Sequence, residues 1–221
     1  TAVVLNNLAS LLEDRGRYAE AEEFLQTSLD LRLEALGPEH ASVARARNNL
    51  GRGLAARGQV AAGLALLEQA ETWRRQGLPG AAAELALTLI QKARVLRAVG
   101  REREAVDAYA EALQLQGEAL GTEHPLAAEP RAERAPVAEE LGQIPDCRPE
   151  VEAALAALAE AGAAFEPALA RGWLHQGDCW LRHDSAAEAR AAWTRARAVL
   201  EPRFGPENRW VRELAKRLDS G

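Results

Sequence analysis

Glycine returns at one interval through most of this chain. From Gly16, steps of 42 residues land on Gly58, Gly100 and Gly142, and a further step lands on Asp184, a residue that can also take a tight turn. A second marker keeps the same spacing. Gly37-Pro38-Glu39-His40 recurs as Pro79-Gly80, then as Gly121-Thr122-Glu123-His124-Pro125, blurs near Gly162 and returns as Gly205-Pro206-Glu207. Between the markers the apolar residues follow helical spacing: Leu5, Leu8, Leu11 and Leu12 precede Gly16, and Tyr18, Ala21, Leu25 and Leu29 follow it. Each period is therefore a helix, a glycine turn and a longer helix. One such pair cannot bury its apolar face alone and must stack on its neighbours, so the spacing predicts an all-α chain, an α-solenoid forming one elongated domain.

The corresponding positions of the second period are Leu50, Gly51, Leu54, Gly58, Val60, Gly63, Leu67 and Ala70. In the third they are Leu89, Ala93, Leu96, Gly100, Ala105, Tyr109 and Ala112. This pattern resembles the tetratricopeptide repeat (TPR) family. The fifth period comes nearest its signature, with Trp173, Gly177, Trp180, Ala189, Trp193 and Ala196 at the expected offsets and Gln176 in place of the usual leucine. Ordinary TPR units are about 34 residues long; a 42-residue unit with an LNNLA opening, a GRYAEAE turn and an LGPEH connector is similar to the kinesin light chain type. The resemblance implies a right-handed α-solenoid of five TPR-like helix-turn-helix repeats plus a C-terminal capping helix. The repeats are placed at about 2–40, 41–82, 83–126, 127–164 and 165–204, and the cap at 207–218. It also implies a protein- or peptide-binding scaffold that uses a concave groove lined by the first helix of each pair.

The fourth repeat is the degenerate one. Pro130 and Pro136 fall in its first helix, and Pro145 and Pro149 at the start of its second. An interior proline removes a hydrogen bond and clashes with the preceding turn, so that first helix is expected to be kinked, shortened or shifted. Elsewhere Gly63 marks a close helix approach, Trp73 packs between repeats, and Lys92 lays its stem along apolar surface. Asp184 and Ser185 are placed to cap the helix from Ala186 to Leu200.

In the groove, the register selects Asn6, Asn7, Ser10, Glu13 and Asp14; Asn48, Asn49 and Arg52; Gln91, Arg94 and Arg97; Glu133; and His175, Asp178 and Arg182. An amide both donates and accepts, so a ladder of them suits a peptide backbone. By the resemblance, Asn6, Asn7, Asn48 and Asn49 match the asparagines that hydrogen-bond an extended ligand. Arg52, Arg94 and Arg97 then suit acidic side chains or a C-terminal carboxylate, because guanidinium forks match carboxylates. The competing reading pairs them with the chain's own Glu13, Asp14 and neighbouring acids.

No phosphate loop, dinucleotide fingerprint or HExxH motif is present, and adjacent acids such as Glu22-Glu23 and Glu139-Glu140 read as solvated helix faces, so neither an enzyme nor a cofactor is expected. His175, Cys179 and His183 stand at i, i+4 and i+8 and offer zinc-type ligands. Packing is preferred there, because Cys179 shares its register with Leu11, Gly53 and Val95, and a structural zinc site normally has four ligands. A net charge of −6 argues against nucleic acid as partner, and no apolar run reaches membrane length. The chain reads as cytoplasmic, with Cys147 and Cys179 as free thiols. Two lysines and two isoleucines against abundant arginine and alanine suggest a bacterial source, and the lack of methionine suggests a fragment of a longer chain. Alternative roles are a regulatory or sensory segment of a larger bacterial signalling protein such as a kinase, where the partner is another domain of the same parent chain, or a structural self-assembly module.

Overall fold

The computed structural model describes residues 1–76, 81–122 and 124–220. Pro79-Gly80 and Glu123 of the second marker lie outside the described residues. Among those described there are eleven α-helices and no strand. They are α1 (Ala2–Asp14), α2 (Tyr18–Leu36), α3 (Ala41–Ala56), α4 (Val60–Arg74), α5 (Ala81–Ala98), α6 (Glu102–Leu120), α7 (Pro125–Glu140), α8 (Arg148–Glu160), α9 (Glu166–Arg182), α10 (Ala186–Phe204) and α11 (Arg209–Ser220). A 3-10 turn, Ala163–Phe165, precedes α9. None of the described helices is long and apolar enough to cross a membrane.

The turns have the conformation that the period demanded. Gly16, Gly58, Gly100 and Gly142 all have positive φ, between 70° and 91°, where a side chain would be strained. Asp184 takes the same turn at φ 56° and is the one such non-glycine residue among those described. The longer connectors end in a cap. His40 and His124 accept a hydrogen bond from the backbone of Ser42 and Leu126 at 3.1 and 3.2 Å, and Asn208 Oδ1 accepts from Trp210 N at 2.9 Å. Ser185 differs from expectation. Its hydroxyl donates to the His183 carbonyl at 3.2 Å and makes no cap bond to α10.

Two compact units divide the chain, residues 1–115 and 116–221. In the first, Ala9 and Leu12 of α1, Ala21, Leu25 and Leu29 of α2, and Val43, Ala46, Leu50 and Leu54 of α3 share one core. Leu64 and Leu67 of α4 join Leu85, Leu89, Ala93 and Leu96 of α5 and Ala105, Tyr109 and Ala112 of α6 in another. Backbones touch between α3 and α4: a methyl on Gly51 would lie 2.7 Å from the Gly63 carbonyl oxygen, so glycine is what permits the approach. Trp73 is buried against Ala44 and Ala70, and its indole donates to the Glu39 carbonyl at 3.0 Å. Lys92 reaches Glu71 at 2.8 Å. The stripe on α1 is only partly used, since Leu8 is 39% exposed and Leu11 59%, against 2% for Leu50 one period on.

In the second unit, Ala128, Ala132 and Ala135 of α7 pack with Val151, Ala154, Leu155 and Leu158 of α8 and Cys179 of α9. Ala170 and Leu174 of α9, Ala189, Trp193, Ala196 and Leu200 of α10, and Val211 and Leu214 of α11 form the adjoining core. The proline-bearing α7 is not shortened. It runs 16 residues, the length of α3, with Pro130 and Pro136 inside it. The carbonyl that Pro130 leaves without its helical donor, that of Leu126, accepts from Gln116 Nε2 at 3.5 Å, which offsets part of the loss.

Candidate functional site

Residues 1–115 carry the amide-rich face. Asn6 on α1 and Asn49 on α3 are equivalent-face neighbours, and Asn49 Nδ2 donates to Asn6 Oδ1 at 2.9 Å. Asn7 and Ser10 are exposed beside them, while Asn48 turns inward at 9% exposure, its Nδ2 3.5 Å from Asn49 Oδ1 and its own Oδ1 without a hydrogen-bond partner. On α3 the two asparagines thus part, Asn49 toward the surface and Asn48 toward the core, whereas on α1 Asn6 is half-buried and Asn7 exposed. Arg52 is held by Glu13, 2.5 Å away and buried, so this guanidinium serves the chain's own acid. Gln91, Arg94 and Arg97 lie half-buried on α5, and both arginines engage groups within the chain.

Residues 116–221 place the rest differently. His175 is 1% exposed and meets the Trp210 ring edge-on at 6.4 Å, so α11 covers it. Asp178 accepts from Arg217 Nε at 2.7 Å and Nη2 at 3.1 Å, with His175 Nδ1 3.8 Å away. Burial pushes the Asp178 carboxyl up, but His175 and Arg217 outweigh it and hold the group well below the usual carboxylate range. The register placed both on an open groove face; instead His175 is buried beneath α11, and the half-buried Asp178 is engaged by Arg217. Glu133 is buried at 1%. Arg182 is exposed and pairs with Glu140, one period back on α7, as Arg171 pairs with Glu129 at 2.5 Å. These pairs join equivalent positions of consecutive first helices.

The cysteines also depart from expectation. Cys147 and Cys179 form a disulfide, with Cα atoms 6.0 Å apart, where free thiols were expected from the assumed compartment. Cys147 stands just before α8 and Cys179 on α9, and stacking the helix pairs brings them together inside one core. The set His175, Cys179 and His183 is dispersed. Spacing of i, i+4 and i+8 keeps three residues on one helical stripe, but α9 ends at Arg182, before His183, and different neighbours claim the other two. His175 goes beneath α11, Cys179 into the disulfide, and His183 to the turn after α9. There His183 Nε2 lies 3.2 Å from Glu139 Oε1 and 3.3 Å from Asp146 Oδ1. Glu139, expected from the sequence to be a solvated acid, is half-buried beside this turn, and no register relation links it to His183.

Two family models described as tetratricopeptide repeat match the sequence, one over residues 1–76 and the other over residues 85–126, together more than half of the chain. No curated protein matches it. Among solved structures, the kinesin light chain-type TPR-like repeats of Podosopora anserina are 23% identical with a TM-score of 0.65, the match covering 90% of this chain and 94% of that one. BtubC (BKLC) from P. vanneervenii is 16% identical with a TM-score of 0.67, covering 88% and 78%. A Rap protein in complex with competence and sporulation factor is 14% identical with a TM-score of 0.66, covering 99% and 62%. At these identities the likeness is one of fold.

Proposed function

The chain belongs to the tetratricopeptide repeat family, whose repeats generally mediate protein–protein interaction, and from that premise we propose that it binds an extended segment of a partner protein along the first helices of residues 1–115. The observation that carries this reading is the Asn49–Asn6 hydrogen bond with Asn7 and Ser10 exposed beside it. It sets amide and hydroxyl groups on neighbouring first helices side by side at a surface, which is what a strand-like backbone needs. The Rap protein similar in fold was solved in complex with competence and sporulation factor, which supports this reading. Acidic side chains on the segment would be met at Arg94 and Arg97, in competition with the groups those arginines already engage; Arg52 contributes less, being committed to Glu13.

A peptide library panned on the intact chain and on the Asn7→Ala/Asn49→Ala variant tests this. Two amide contacts at about 1 kcal/mol each predict roughly 30-fold weaker binding by the variant. Arg94→Glu should further weaken only those peptides that carry acids. Recovery of the same peptides with equal affinity by both proteins would refute the reading. Self-association is the second reading, favoured by the exposed Val3, Val4, Leu8 and Leu11 of α1. A mass that rises with concentration would support it.

A further inference from the structure

We propose that Glu139, Asp146, His183 and the thiolate of Cys147 form a redox-gated site for a zinc-class divalent ion, available when the Cys147–Cys179 disulfide is reduced. One ligand atom from each of these four residues lies within 4.8 Å of all the others. Tetrahedral zinc, with bonds of about 2.0–2.3 Å, needs ligand atoms about 3.3–3.8 Å apart, so a small contraction completes the set. His183 Nε2 already sits at 3.2 and 3.3 Å from the two carboxylates. An imidazole, a thiolate and two carboxylates select zinc or cobalt over magnesium or calcium, which take oxygen alone.

The ligands are held from behind. Glu139 Oε2 accepts from the Cys147 backbone at 2.6 Å, tying the acid to the cysteine that would join it. Asp146 accepts from the Arg148 backbone at 2.9 Å and from its guanidinium at 2.7 Å. The Ser185 hydroxyl holds the His183 carbonyl, and the left-handed Asp184 turns the chain immediately after the histidine. Arg148 opposes a cation at this spot. With the disulfide intact, the two carboxylates less Arg148 leave one negative charge; the Cys147 thiolate makes it two, matching a divalent ion.

The gate follows from sulfur chemistry. A sulfur bonded to sulfur is not a thiolate ligand. A phosphine reductant donates two electrons to the disulfide and becomes a phosphine oxide with oxygen from water, while the two water protons end on Cys147 and Cys179. Metal binding then displaces the Cys147 proton to solvent, and Cys179, 1% exposed, stays in the core as a thiol. Reoxidation by a small-molecule disulfide takes the two electrons and expels the ion; that oxidant leaves as two thiols, one proton coming from Cys179 and one from solvent.

Cobalt(II) alone, added to the untagged 221-residue chain, tests the site, with helix content followed in parallel. Oxidised protein should give no sulfur-to-cobalt absorption band, and phosphine-reduced protein should give one at a single equivalent, displaced by zinc. Cys179→Ser frees Cys147 permanently and should bind without reductant, while Cys147→Ser should lose the band. His183→Gln and Glu139→Gln should each weaken binding by tenfold or more. Helical reduced protein and helical Cys179→Ser without the band would overturn the proposal. So would an unchanged band in Cys147→Ser, or unchanged affinity in both His183→Gln and Glu139→Gln.

Discussion

Gly177 and Gly172 stand on the same helix, α9, and differ in what a methyl group would strike. At Gly177 a Cβ would lie 2.5 Å from Cδ1 and 2.7 Å from Cε2 of Trp193, and closer still to its Nε1. That indole is buried at 4% exposure and donates to the Leu174 carbonyl at 3.1 Å, so it cannot move without breaking the bond. At Gly172 the nearest atom is the Leu155 Cδ2 methyl at 2.7 Å, and the next two atoms are 3.7 and 3.8 Å away. A leucine tip can rotate; a hydrogen-bonded ring in a core cannot. Alanine gains about 1 kcal/mol of helix propensity at either place. At Gly177 overpacking costs about 1–3 kcal/mol and the lost indole bond about 1. The net expectation for Gly177→Ala is a loss of about 2 kcal/mol, or roughly 4–8 °C in Tm for a chain of this size. Gly172→Ala should stay within about 0.5 kcal/mol of the parent, its gain and its repacking cost offsetting. Thermal unfolding followed by circular dichroism measures both, and the near-ultraviolet signal reports whether the indole has moved. A Gly177→Ala protein as stable as Gly172→Ala would refute the packing argument.

Reduction of Cys147–Cys179 opens a loop closed over a sequence separation of 32 and should lower stability by about 3–4 kcal/mol. Tryptophan fluorescence against urea is the suitable readout, because Trp173, Trp180, Trp193 and Trp210 all lie in residues 116–221. An unmoved midpoint would contradict the expectation. Asp178→Asn removes the carboxylate that grips the half-buried Arg217 through two hydrogen bonds, leaving it Glu213 alone, and should cost about 1.5–2 kcal/mol at neutral pH. Because the folded Asp178 carboxyl titrates below its unfolded value, its stabilisation is complete above about pH 4 and is lost as the pH falls further. The gap in urea midpoint between parent and variant should therefore narrow at about pH 3, and a constant gap would count against the ion pair.

Turns were legible in the sequence because they are local demands. A left-handed residue is required wherever one helix ends and the next begins, few residue types meet that demand, and so Gly16, Gly58, Gly100, Gly142 and Asp184 announced themselves. The close approach at Gly63 and the packing of Trp73 were readable for a similar reason, since a missing side chain or an aromatic at helical spacing has few uses. The disulfide was not readable. It depends on which residues adjacent helix pairs bring within 6.0 Å, and an assumption about redox compartment cannot supply that distance.

Register identifies a face, while the neighbouring helix decides whether that face is open. The position held by Asn7 recurs one period at a time as Asn49, Gln91, Glu133 and His175, polar at every step. Its surroundings change along the way: Asn7 is exposed, Asn49 and Gln91 are half-buried, and Glu133 and His175 are 1% exposed. A buried polar group must find its partners inside the protein, as the Asp178 cluster beneath α11 illustrates. An exposed one is free to exchange water for a ligand. The proposed ligand contacts are therefore assigned to the asparagines of residues 1–115, where that position is more open. In residues 116–221 the accessible chemistry has moved off the helix face and into the turns, where Glu139, Asp146 and His183 meet at the half-buried edge of the disulfide core.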